Sequence, residues 1–134
     1  MYLLKPGGLV FLGAALGTLA RALTDTLLGA QIGGINASTM LVNVLGAMLM
    51  GALVATWTQK RGLKPLWDSI KIFAGTGFLG AFTTYSTFAL AIAHAGAWQA
   101  LGVGTLVVAA GVFGAWLGKT LASRGASNSG GGSQ

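Results

Sequence analysis

Residues 75–88 read GTGFLGAFTTYSTF, from Gly75 and Thr76 to Thr87 and Phe88. Gly75, Gly77 and Gly80 come first, followed by an unbroken run of hydroxyl side chains: Thr83, Thr84, Tyr85, Ser86 and Thr87. The stretch sits inside residues 72–118, which contain no Asp, Glu, Lys or Arg. A continuous lipid-facing helix gains little from this composition. Each glycine costs about 1 kcal/mol relative to alanine, and hydroxyl groups compete with the helical ladder for backbone partners. The pattern predicts a helix broken near Gly80–Thr84. The alternative is an unbroken helix whose hydroxyls bond back to carbonyls one turn earlier. Non-helical backbone at membrane depth survives only when buried in protein or lining a wet cavity. Freed carbonyls at such a break commonly hold a cation.

Outward from this stretch, the charges mark the spans. They are Lys5, Arg21, Asp25, Lys60, Arg61, Lys64, Asp68, Lys71, Lys119 and Arg124. A bilayer crossing needs about 20 apolar residues, so 72–118 holds two spans joined by a hairpin near His94, Ala95 and Gly96. Residues 26–59 hold one more span after a loop from Gly29 to Gly34, with Asn36 or Ser38 able to cap the helix that follows. The expected spans are about 8–28, 37–58, 68–93 and 97–122. They make residues 1–124 a single four-helix transmembrane domain. The Gly/Ser/Asn-rich tail, 125–134, is expected to be disordered.

Composition agrees with an all-α membrane protein. Of 134 residues, 54% are hydrophobic and 7% charged, against about 25% charged in soluble domains. The absence of cysteine excludes a disulfide framework, a thiolate metal site and a thiol nucleophile. Two acids and one histidine leave almost nothing for acid–base or metal-ligand chemistry, so an enzyme is not expected. The net charge of +6 needs no nucleic-acid partner. Lys5, Lys60, Arg61, Lys64, Lys71, Lys119 and Arg124 fall on one side of a four-span chain and Arg21 alone on the other. That bias predicts both termini in the cytoplasm.

Several residues stand out. Arg21 lies late in the first span, where it either snorkels to the interface and pairs with Asp25 or serves at a vestibule. Asn43 is the one strong amide well inside a span rather than at its edge, a turn after Thr39 and on the same face. It reads either as glue between helices or as a pore-lining donor. His94 reads as a hairpin residue. Trp57, Trp67, Trp98 and Trp116 lie near span ends, as an aromatic belt requires. Gly13 and Gly17, Ala47 and Gly51, and Gly114 and Gly118 recur at four-residue spacing, which allows close helix approach within the bundle or at a lipid-facing dimer surface.

The run from Thr76 to Phe88 closely resembles the third-span signature of the CrcB/Fluc fluoride channels. Residues 13–21, GAALGTLAR, look like that family's first-span glycine motif ending in arginine, and residues 39–46, TMLVNVLG, like its second-span motif. The resemblance implies a fluoride-selective channel in the cell (plasma or inner) membrane that exports fluoride passively and so lowers its toxicity. It implies an antiparallel, dual-topology dimer whose second subunit is an identical chain or a paralogue. By motif position, a structural sodium ion at the dimer centre would be held by the carbonyls of Gly80 and Thr83. Tyr85 and Phe88 take the place of the paired pore phenylalanines. Asn43 takes that of the pore asparagine, with Thr39 and Ser86 as nearby hydroxyls, and Arg21 that of the vestibule arginine. Tyr85 differs from the usual phenylalanine. Ala89 and Ala91 stand near positions where many members carry a serine and a glutamate, and Thr105 is the only hydroxyl between Leu101 and Leu117. The competing reading is a small proton-coupled multidrug-type transporter. Such exporters need a carboxylate in the first span, and this chain offers only Asp25 at its end.

Overall fold

The computed structural model describes residues 6–32, 35–59, 64–94 and 96–128. Helix α1 is Pro6–Leu27, opened by a proline whose missing N–H is no loss in a first turn. Within it Thr24 Oγ1 donates to the Ala20 carbonyl at 2.9 Å, so a polar side chain is satisfied inside an apolar helix. After α1 comes a small antiparallel hairpin, β1 Gln31–Ile32 and β2 Ile35–Asn36, where only a loop was expected. Two residues, both glycine, separate the strands in sequence, the composition that two-residue hairpins favour. The Ala37 N–H donates to the Ala30 carbonyl at 2.9 Å and closes the hairpin onto the next helix.

Helix α2 is Ala37–Gln59, with Asn36 directly before it. The third span is composite. It begins with α3, Lys64–Ile70, continues as a π-helical stretch over Lys71–Leu79, and returns to α geometry for Gly80–Phe82, α4. Thr83 is extended, with φ −76° and ψ 157°. Helix α5, Tyr85–His94, completes the crossing, and α6, Ala97–Asn128, is the fourth span. The chain is a multi-pass membrane protein: among the described residues four helical stretches, Pro6–Leu27, Ala37–Thr58, Leu66–His94 and Ala97–Gly125, are long and apolar enough to cross a bilayer. Helix α6 continues beyond the expected end at 122 and through the first residues assigned to the tail. Nothing in 122–128 blocks the ladder, since a single glycine costs only about 1 kcal/mol. Residues 129–134 lie outside the described residues, as do Lys5, Lys60 and Arg61.

Glycines set the packing. A Cβ at Gly13 would collide with the Phe73 carbonyl, one at Gly17 with the Phe78 carbonyl, and one at Gly77 would lie 2.8 Å from the Val10 carbonyl. Helix α1 and the π-helical stretch therefore touch backbone to backbone. On the other side of the bundle, a Cβ at Gly51 would meet the Ala115 carbonyl and one at Gly118 the Met48 carbonyl, which brings α2 and α6 equally close. These small-residue positions serve packing within the chain's own helix bundle. The widened π turns are a feature the sequence pattern did not suggest. They fall where Gly75 and Gly77 are buried against neighbouring helices. The buried apolar set is small and central, including Val42, Leu79 and Phe82, while Phe11, Leu16 and Leu106 point outward.

Candidate functional site

The site is the point where the third span leaves the helix. Thr83 still caps the preceding turn: its N–H donates to the Leu79 carbonyl at 3.1 Å and its Oγ1 to the same oxygen at 2.9 Å. Thr84 starts the next helix. Its Oγ1 accepts the Thr87 N–H at 3.2 Å, the N-cap geometry that threonine favours. The same hydroxyl donates to Thr87 Oγ1 at 3.0 Å and lies 3.4 Å from Ser86 Oγ. Thr84 is buried.

Helix α2 supplies the clamp. Asn43 Oδ1 accepts the Thr84 N–H at 2.8 Å, and Asn43 Nδ2 donates to the Thr84 carbonyl at 3.0 Å. One side-chain amide thus takes both backbone groups of Thr84, the residue that stands between the two helices. The second hydrogen on Nδ2 is not used by this pair. One turn further along α2, a Cβ at Gly46 would run into Thr83 Cγ2 and lie 3.7 Å from the Phe82 ring. Asn43 therefore holds the break and Gly46 makes room for it. Thr39, a turn before Asn43, is buried, as is Ser38.

Tyr85 and Phe88 follow on α5, at i and i+3 on one face. Tyr85 is 83% exposed. Phe88 lines a groove of about 440 Å³ between α5 and α6, together with Ile92, Leu101, Gly104 and Thr105. Thr105, the sole hydroxyl of the middle of α6, thus faces the same space as Phe88. Phe82, behind the break, stacks on Phe78 with ring centroids 5.7 Å apart.

Of the residues singled out from the sequence, the structure brings Asn43, Thr83 and Ser86 together around Thr84. Tyr85 and Phe88 follow within the next turn. Gly80 is exposed, and a Cβ there would find only the Gly75 carbonyl, at 3.8 Å. Arg21 is not part of this cluster. It is half-buried on α1, and among the described residues it forms no ion pair with Asp25. The sequence pattern marks Thr84 only as part of the break and Gly46 only as part of a motif, without assigning either a place in the site. The adjacent pair Thr83-Thr84 was the available signal, because a threonine before an apolar run is a helix-start residue. Among the described residues no group of three or more His, Cys, Asp or Glu could hold a metal. Any cation here would rely on backbone and hydroxyl oxygens.

Compared with known proteins, residues 8–119 match the family described as CrcB-like protein, Camphor Resistance (CrcB). A Leifsonia xyli subsp. xyli protein named Fluoride-specific ion channel FluC 2 is 42% identical over 82 residues, 61% of this chain and 56% of that protein. One named Fluoride-specific ion channel FluC from Saccharophagus degradans is 42% identical over 94 residues, 67% of this chain and 68% of the relative. Another of that name, from Vibrio campbellii, is 34% identical over 122 residues, 87% of this chain and 94% of the relative. The match thus spans little more than half of the first of these relatives and nearly all of the third.

Proposed function

We propose, for a chain that belongs to the CrcB family, that it is a passive fluoride-selective channel exporting fluoride from the cytoplasm. Fluoride is small and strongly hydrated, so a pore must replace its water with donors that bind it without trapping it. This chain offers neutral donors at membrane depth: the spare Nδ2–H of Asn43 and the hydroxyls of Ser86 and Thr39. Tyr85 and Phe88 add ring edges, the positive part of an aromatic quadrupole. Between Lys71 and Lys119 there is no full charge to hold the anion too tightly. Arg21 would act at a distance, drawing anions toward a vestibule.

The exposed side of the interrupted span, with Gly80, Tyr85 and Ser86, suits contact with a second subunit. The reading is an antiparallel dimer with an identical chain or a paralogue, and with its pathways along the interface. The residues present fit a monovalent cation at that centre. The helix stops at Phe82, so carbonyls of the last turn, Gly80 and Thr83 included, lack ladder donors. When bound there, sodium would supply a positive charge that favours an anion nearby. The chain's own part is to hold the Gly80 and Thr83 carbonyls in place from both subunits.

The observation that carries this reading is the clamped interruption at Thr83–Thr84, with its hydroxyl cluster, in a span without charged side chains beyond Lys71. The test is fluoride efflux from liposomes, followed with an electrode. Fast efflux that does not depend on a proton gradient is expected. Efflux that requires the gradient would instead favour a proton-coupled transporter.

A further inference from the structure

In an unbroken helix the N–H of residue i+4 pairs with the carbonyl of residue i. By that rule the Gly80 carbonyl belongs to the Thr84 N–H, and the Thr83 carbonyl to the Thr87 N–H. Both donors are taken by side chains instead. The Thr84 N–H goes to Asn43 Oδ1 at 2.8 Å, and the Thr87 N–H goes to Thr84 Oγ1 at 3.2 Å. The extended conformation of Thr83, ψ 157°, turns its carbonyl out of the ladder. Meanwhile the Thr84 carbonyl is occupied by Asn43 Nδ2 at 3.0 Å. Side chains thus release two carbonyls and withhold a third.

We infer that Asn43 and Thr84 are positioning residues for a cation site, keeping the Gly80 and Thr83 carbonyls free by capturing the two backbone donors that would otherwise pair with them. This rests on the reading that sodium binds those carbonyls. It adds a second task for Asn43 beside its spare N–H, and assigns Thr84 a role through its hydroxyl rather than through contact with the ion. Removing the hydroxyl leaves the Thr87 N–H to draw the Thr83 carbonyl back toward the ladder by rotation of the Thr83 backbone, which weakens the site without changing the identity of any ligand.

The experiment compares sodium binding in the parent dimer with Thr84→Val and Thr84→Ser. The readouts are equilibrium binding of radioactive sodium and the rise in melting temperature when sodium replaces N-methylglucamine. The parent and Thr84→Ser should bind alike, and Thr84→Val should bind about tenfold or more weakly, the usual scale for outer partners of a metal site. A folded Thr84→Val that binds sodium as the parent does overturns the inference and leaves the sodium reading standing. A parent that neither binds sodium nor is stabilised by it overturns both. A measurement on the parent alone covers the case in which Thr84→Val does not fold. With carbonyl-13C labels, the Gly80 and Thr83 signals should shift when sodium replaces the organic cation, and the Thr84 signal should not. A Thr84 shift as large as theirs also overturns the inference.

Discussion

The Asn43 side chain grips both backbone groups of Thr84, accepting its N–H at 2.8 Å and donating to its carbonyl at 3.0 Å. The two residues lie 41 positions apart, so α2 and the third span are joined at the point where the latter loses its own ladder. An amide is the side chain suited to this, because it presents one donor and one acceptor side by side.

Asn43→Asp removes the donor half of that grip. An ionised carboxylate still accepts the Thr84 N–H but faces the Thr84 carbonyl with a second acceptor. An unmade bond to a buried group costs about 1–3 kcal/mol, and the new negative charge repels an anion. Fluoride flux in liposomes should fall by at least about tenfold, while helicity and the gel-filtration profile persist. Parent-like flux from a well-folded Asn43→Asp would remove Asn43 from the transport pathway.

Gly46→Ala should destabilise the protein by about 1–3 kcal/mol, the usual range for overpacking, because the new methyl meets Thr83 Cγ2. The double change Gly46→Ala with Thr83→Ser should recover much of that loss. Serine lacks Cγ2 and keeps the hydroxyl that bonds the Leu79 carbonyl. Thermal unfolding in detergent across the four-member cycle measures the coupling. Strictly additive effects would mean that the contact carries no energy.

Glycines predict two opposite responses along α6. Gly118→Ala forces α6 off α2, since its Cβ meets the Met48 carbonyl, and should lower the melting temperature. Gly102→Ala has nothing within 4 Å and should raise stability by about 0.5–1 kcal/mol through helix propensity alone. Equal effects at the two positions would contradict the α2–α6 contact.

Phe88→Ile should impair fluoride flux more than Trp98→Phe does. The aliphatic side chain fills the groove between α5 and α6 but has no ring edge to offer an anion. Flux at the parent level from Phe88→Ile would reduce Phe88 to packing. Tyr85→Phe is expected to transport well, since it keeps the ring.

How far the sequence was legible follows from the range of each interaction. The four spans could be placed from the charges, because hydrophobic length is a local property. The glycine pairs announced close helix contacts for the same reason. The run from Gly75 to Thr87 pointed to an irregular segment by its composition. What composition could not supply was the partner: Asn43 read equally well as interhelical glue or as a pore donor. Only the fold shows that its amide is committed to the Thr84 backbone. The π-helical turns over Lys71–Leu79 were hidden too, since they depend on how Gly75 and Gly77 meet other helices. The hairpin at Gln31–Asn36 escaped because two-residue strands leave no periodicity to detect.

Topology gives the last prediction. An antiparallel dimer of one chain requires insertion in both directions, which demands a weak Lys/Arg bias. Here seven basic residues share the side of the termini and the loop between the second and third spans, and Arg21 is the only one toward the other side. Lys71 is drawn to that membrane face, where its Nζ lies 3.8 Å from the centre of the Trp57 ring, an interfacial pairing of cation and aromatic. The expected outcome is one fixed orientation with the termini inside. The chain has no cysteine of its own, so single cysteines at Gly62 and Gly96 report on the two sides cleanly. In cells lacking related proteins, an impermeant thiol reagent should label the Gly96 position alone. An antiparallel dimer would then need a paralogue of opposite bias, whose fourth span could supply the hydroxyls that the middle of α6 lacks apart from Thr105. Labelling at both positions from outside would show dual insertion, and the same chain would then suffice for both subunits.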